Sequence, residues 1–437
     1  MKRMLALLTA LLLLTPLARA EDGQPFPVYL KSTALLTDGT GREIVPPGTY
    51  DAIIPLEGQL SRYAAGRTEN GVQRFGLMNE AGELLTAVEY DLLVDAGGEI
   101  VCARDGLYGL LNADGTVKVE PAYTSIVPNG EGGALALKTD CWDDQPDGVY
   151  VIDAQGHETA AGIKTLFLFD SAFSEGRMSL LSAENGRCGY VDAQGQWLVR
   201  PQFAYAADFR DGFAIASITS GFGVIDEAGN WVLTPRYSLI WRTDDAFIAT
   251  EGTSACVAFD AATLEERFRV TGSSLYAYDD GDRVVVVDDE ATRLYGADGA
   301  LLFTASPLAT LKSGETGLII AEDGPWGSPR ATLHASDGAA LSEARQGIDL
   351  LGLVDGAEYF SWFEMGAQPG EDPEAEWEYD PYSVRFGLMD STGAALTDAV
   401  FTSLMPGDGT CLVAETEDAV GLIDTRGEWI AKWEIEN

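Results

Sequence analysis

Histidine is nearly missing from this sequence: His157 and His334 are the only two in 437 residues. Imidazole-built metal sites and nucleophile–histidine pairs therefore have almost no material to draw on. His157 directly follows a turn glycine and His334 falls at a strand position, neither beside a motif partner. Glycine–serine nucleophile elbows, phosphate-cradling loops and zinc-binding helices are also lacking. The expectation is a protein that is not an enzyme. The alternative is an extracellular glycan-active hydrolase, because its carboxylate pair needs only two acids correctly spaced in three dimensions and the chain has 69.

Basic residues are scarce as well. Lys and Arg number 28 against 69 Asp and Glu, a formal charge of −41. A field of that sign repels phosphate backbones and anionic lipid, which excludes nucleic acid as a partner and favours cations and basic partners. The five cysteines, Cys102, Cys141, Cys188, Cys256 and Cys411, form an odd set with irregular gaps, unlike a disulfide framework or a zinc site. Most fall in strand patterns and read as small buried apolar residues; Cys141 lies in a polar loop.

Long apolar runs are limited to one, Met4 to Leu14. It follows Lys2 and Arg3 and precedes Ala18-Arg19-Ala20, the layout of a cleavable secretory signal, and it is too short to span a bilayer. Cleavage after Ala20 removes Lys2, Arg3 and Arg19 and no acid, taking −41 to −44. The expected product, residues 21–437, is extracytoplasmic and has no membrane span.

Glycine, at 49 residues, is plentiful, and it is periodic. "FGVIDEAGNWVLTPRY" from Phe222 recurs as "FGLMNEAGELLTAVEY" from Phe75, "YGLLNADGTVKVEPAY" from Tyr108, "CGYVDAQGQWLVRPQF" from Cys188, "FGLMDSTGAALTDAVF" from Phe386 and "VGLIDTRGEWIAKW" from Val420. Weaker copies begin at Leu35, Val149, Cys256, Leu294 and Thr332. The second glycine is Gly41, Gly82, Gly115, Gly156, Gly195, Gly229, Gly299, Gly338, Gly393 or Gly427, with Thr263 standing in once. Spacings run from about 33 to 41 residues, apart from 55 between Gly338 and Gly393, a range that suits small antiparallel units. An aromatic follows eight residues later as Tyr90, Tyr123, Phe203, Tyr237 and Phe401, with Pro121, Pro201 and Pro235 two before theirs.

Each unit reads as short β-strands rich in branched and aromatic residues, exemplified by "GFAIASI" from Gly212 and the strand from Phe222. Asp226 and Gly229 make the following turn, and Asp153, Asp192, Asp390 and Asp424 fill the same aspartate slot. Pro235 removes a ladder donor, which points to a sheet edge or to the place where pairing ends. Such a unit exposes apolar surface that only a neighbour can cover, so the repeated aromatics are expected in cores between stacked units.

The pattern resembles the bacterial WG repeat family, named for a Trp-Gly pair heading one strand of each unit. Phe75, Tyr108, Cys188, Phe222, Cys256 and Phe386 stand in the tryptophan slot, and the partner glycines are Gly76, Gly109, Gly189, Gly223, Gly387 and Gly421; no copy keeps the literal pair. The resemblance implies a β-repeat scaffold without an assigned reaction. The fold expected is all-β: about eleven tandem units of three to four antiparallel strands, propeller-like or superhelical. Eleven exceeds the usual blade number of one closed propeller, so the array is either open or divided into two sub-arrays near 270–347.

Units differ in length mainly between the strand before the glycine pair and the strand carrying it, at Ala64–Gln73, Lys138–Gly148, Glu322–Arg330 and Glu364–Ser383. Equivalent loops of a repeat stack share a face. Three carry aromatics beside acids: Trp142 with Asp143 and Asp144, Trp326, and Trp377, Tyr379 and Tyr382. Aromatics in polar loops are common anchors, so these residues are the candidate binding face, for an extracellular protein or a cell-surface polysaccharide. The acid runs "DDQPDG" from Asp143 and "DDGD" from Asp279 raise calcium stabilisation as a further alternative, although neither has a known loop spacing; no cofactor is expected otherwise.

Overall fold

The computed structural model describes residues 24–58, 61–138, 148–165, 172–272, 275–280, 283–296, 298–324, 330–365 and 384–435. These form eleven small antiparallel sheets, or blades, numbered here in chain order. The sixth shows the plan. Tyr205–Ala206, Phe213–Ile218, Gly221–Asp226 and Trp231–Tyr237 lie side by side in sequence order. The three strands read from sequence are its second, third and fourth. A further strand of two residues precedes them, too short to leave a periodic signal. Trp231–Tyr237, with Pro235, is the edge strand, as are Val117–Tyr123 with Pro121 and Trp197–Phe203 with Pro201.

Turn chemistry explains why the third and fourth strands meet at one register. Asp226 Oδ1 accepts hydrogen bonds from the backbone N–H of Ala228 and Asn230, and Gly229, at φ 80°, donates to the Asp226 carbonyl. Asp153, Asp192 and Asp424 repeat both carboxylate bonds in their blades. A left-handed residue here suits glycine, which has no Cβ to clash with the next carbonyl. At the Thr263 copy, Leu264 takes the left-handed position instead, at φ 59°.

The described residues fall into two compact units. One is drawn from residues 1–89, 350–391 and 395–437; the other, from 90–349 with 392–394. In the second, cores form pairwise between consecutive blades. Val224 and Tyr237 of blade 6 pack with Phe247, Val257 and Phe259 of blade 7. Tyr190, Val199 and Phe203 of blade 5 pack with Ala214 and Ile225 of blade 6, and Phe203 meets Trp231 edge-on at 5.6 Å. Burying a ring such as Phe203 stabilises by roughly 2–3 kcal/mol, and no single blade has the area to do it.

In the first unit the same rule joins blade 1 to blade 2 through Leu36, Tyr50, Ile53 and Tyr63, and blade 10 to blade 11 through Leu351, Leu388, Leu404 and Ile423. Blade 1 also packs on blade 11: Phe26, Val28 and Leu35 share a core with Val413, Leu422 and Ile435. There the Trp433 indole donates to Glu43 Oε1 at 2.8 Å, and a Cβ on Gly41 would lie 2.5 Å from that of Ala431.

Candidate functional site

The expected loop face corresponds to one connection of the meander, the one between second and third strands. It joins Arg62–Glu69 to Val72–Met78, Ala134–Leu137 to Gly148–Ile152, Ile319–Asp323 to Arg330–His334, and Ala357–Met365 to Val384–Asp390. In an antiparallel sheet this end lies opposite the Asp–Gly turn end. Trp142, Asp143, Asp144, Trp326, Trp377, Tyr379 and Tyr382 lie outside the described residues, as do most of the acids proposed for calcium. Among the described residues no three His, Cys, Asp or Glu side chains group as a metal site.

One of the four stretches is not a loop. Ala64–Gln73 continues both strands into a tight hairpin, with Glu69 paired to Val72 and the turn at Asn70 and Gly71, φ 54° and 76°. An Asn-Gly pair at positive φ is the hairpin turn that matches strand twist, and it was visible in "ENGV".

At the foot of the Lys138–Gly148 connection the described residues build a polar cluster. Lys138 Nζ lies 4.7 Å from the centre of the Tyr150 ring and 5.5 Å from that of Tyr123, and 2.7 Å from the Glu158 carboxylate. The Tyr123 hydroxyl donates to Glu158 Oε2 at 2.5 Å. The bond from Lys138, with that from Tyr123, lowers the Glu158 pKa; burial first, and then the same carboxylate, raises that of Tyr123. Blade 2 repeats the theme, with Arg67 5.1 Å over the ring of Tyr50 of the preceding blade. Cations in or just past the second strand thus cover tyrosines that end the preceding blade, an attraction of charge for ring face. At the Glu322–Arg330 connection, Asp323 Oδ1 accepts from the Ser306 hydroxyl and from the Gly324 N–H, both at 2.7 Å.

The partner glycines have a different role. A Cβ on Gly109 would lie 2.4 Å from the Val119 carbonyl oxygen, one on Gly189 2.5 Å from that of Val199, one on Gly223 2.4 Å from that of Leu233, and one on Gly421 2.2 Å from that of Ala431. In each case the last strand of the sheet carries a bulge that presses its backbone onto the strand of the glycine. A Cβ on Gly387 would instead meet the Trp362 ring, and one on Gly76 would lie 3.1 Å from the Ala87 carbonyl oxygen. The turn glycines reach outward: a Cβ on Gly229 would be 2.6 Å from Val199 of the preceding blade, and one on Gly195 2.7 Å from Ala161. Gly82, Gly115, Gly393 and Gly427 share the left-handed turn conformation. Both histidines are bound into turns: His157 Nδ1 pairs with Asp153, and His334 Nδ1 with the Gly338 carbonyl, each at 3.1 Å.

Solved structures similar to the chain include BamB from Moraxella catarrhalis, at 16% identity and a TM-score of 0.33 over 66% of this chain and 94% of that one. Another is the computationally designed Ika8 protein, at 13% and 0.30 over 65% and 97%. Hsv2 of Kluyveromyces lactis aligns at 8% and 0.29 over 55% and 92%. No curated protein matches the sequence. Blades 5 to 7 carry the family signal: residues 189–219 and 222–249 match the family model of the WG containing repeat.

Proposed function

We propose that this chain is a secreted, non-catalytic β-repeat scaffold that holds an extracellular protein or cell-surface polysaccharide through the connections between second and third strands. The observation that carries this reading is a contrast in length between the two ends of the blades. The turn between third and fourth strands stays short and keeps its left-handed glycine in blade after blade. The opposite connection runs from two residues, at Asn70–Gly71 and at Asp105–Gly106, to the whole of 366–383. Extra length tolerated at one end of a rigid support is how repeat proteins carry variable binding surface. The sequence of the long connections, tryptophan and tyrosine among acids, suits anchoring to a partner that supplies donors or positive charge.

Removing 366–383 and joining the flanking strands by an Asn-Gly turn tests the reading. Retention on glycan arrays and on surface-protein fractions should fall while the melting temperature holds. Retention equal to that of the parent on every partner that the parent captures would reject it.

A further inference from the structure

Blade 1 is built differently from its neighbours. Its turn, Asp38 to Gly41, follows Thr33–Thr37, so that strand corresponds to the third of blade 6 and Phe26–Leu30 to the second. Among the described residues blade 1 has no first strand, and Phe26–Leu30 is its edge. In blades 2, 6 and 11 the first strand begins eight to ten residues ahead of the second, at Ala52 for Arg62, Tyr205 for Phe213 and Ser403 for Leu412. Counted back from Phe26, that interval falls at about residues 16 to 18, inside the segment read as the secretory signal.

A cavity of about 600 Å³ lies beside this edge. Its walls are Gln24–Tyr29 of blade 1, the end of the first strand of blade 2 with the start of its second, and the first strand of blade 11 with neighbouring residues. The size is that of a small-ligand pocket, for which roughly 300–1,000 Å³ is usual. A peptide adding here as a strand would need backbone donors, but Pro25, Pro27, Pro55 and Pro406 stand on all three walls without an N–H. The phenols are committed as well. Tyr29 Oη donates to the Ile53 carbonyl and Tyr63 Oη to that of Pro25, each at 2.6 Å. Arg62 Nη1 donates to the Ser61 carbonyl at 3.4 Å. Two carboxylates remain on the lining, Glu57 and Glu415, and neither side chain has a hydrogen bond or ion pair among the described residues. Leu56, Met405 and Val413 give the apolar surface between them.

We propose that this cavity is a binding site for an ammonium or guanidinium group carried on an aliphatic stem. The stem lies along the proline, methionine and leucine surface, and the cationic tip pairs with the two carboxylates of the lining. Two carboxylates against one guanidinium, in a chain of −41, set the sign of the ligand. The site is independent of the loop end invoked above and stands or falls separately from it.

Agmatine, titrated into the mature chain and followed by calorimetry and by the methyl resonance of Met405, is the probe. Saturable binding that weakens about tenfold in Glu415→Gln and in Glu57→Gln, with unchanged melting temperatures, is the expected result. Salt should weaken it further. Hexanoate or pentanol binding as tightly as agmatine would overturn the proposal, as would agmatine binding unaltered in the double variant. So would the absence of saturable binding, as expected if residues ahead of Gln24 filled the space. An apolar hexapeptide that displaces agmatine and adds a strand would replace this site with β-addition.

Discussion

Gly223 and Leu233 approach so closely that a Cβ on the glycine would lie 2.4 Å from the leucine carbonyl oxygen. The atom in the way is backbone, held by the bulge of the fourth strand, so nothing flexible can yield. Gly223→Ala should therefore cost about 1–3 kcal/mol, the usual range for overpacking, and lower the melting temperature by several degrees. Gly148→Ala is the control, because among the described residues beyond its chain neighbours a Cβ there comes nearest to Ile163 O, at 3.6 Å, and its backbone φ is ordinary. Equal losses in the two variants would refute the explanation.

The aspartate turns make a pH prediction. Hydrogen bonds to the carboxylate, that from the Asn230 N–H foremost, lower the Asp226 pKa. A group depressed on folding adds stability above its unfolded value, about 3.9, and loses that contribution as the pH falls through the folded value. Asn79 fills the same slot in blade 2 with the same two backbone bonds, so an amide can replace the carboxylate. Asp226→Asn should be within about 0.5 kcal/mol of the parent at pH 7 and lose less stability than the parent below pH 4. Asp226→Ala should cost about 1 kcal/mol at pH 7, and chemical denaturation at both pH values checks the set.

Lys138 should be separable from the loop it precedes. In Lys138→Met the Glu158 carboxyl loses the hydrogen bond chiefly responsible for its lowered pKa, so its titration by carbon-detected NMR should move upward. The charge and its two ring contacts are partly exposed, and the loss of stability should stay at or below about 1 kcal/mol. An unmoved Glu158 titration would show that the salt bridge does not govern it.

Burial governs the thiols. It pushes Cys102 up to about 11 and Cys256 and Cys411 up to about 12, with the Asp408 charge adding to the effect at Cys411. At pH 8 these three sulfurs should resist a disulfide reagent in the folded chain and react in denaturant. Peptide mapping of native labelling checks this, and modification of Cys256 without unfolding would contradict its burial between blades 7 and 8, where it shares a core with Ile248, Val284 and Val286.

Much of the blade was legible because its signals are local. Gly229 marks a left-handed turn, Asp226 caps it, Pro235 marks an edge, and each acts within a few residues of itself. The strand Tyr205–Ala206 was not legible, since it directly follows the previous blade and is shorter than one period of alternation. The reason for Gly223 was hidden too, because the bulge that forces it comes from Leu233, on another strand. Ala64–Gln73 was misread as an inserted loop when its Asn-Gly turn marked two long strands. The cavity beside Phe26 gave no sequence signal, for it depends on Pro55 and Pro406 reaching the same space from distant parts of the chain.

Ile435, the last of the described residues, shares its core with Phe26 and Val28 near their start, and Trp433 is bonded to Glu43. Blades 1 and 11 thus meet as consecutive blades do, which leaves the place where the chain is cut largely free while the order of the blades is kept. A gene rearranged to begin at Gly71, with a short tether from the old tail to Gln24, should yield the same body, its seam moved to the Asn70–Gly71 hairpin.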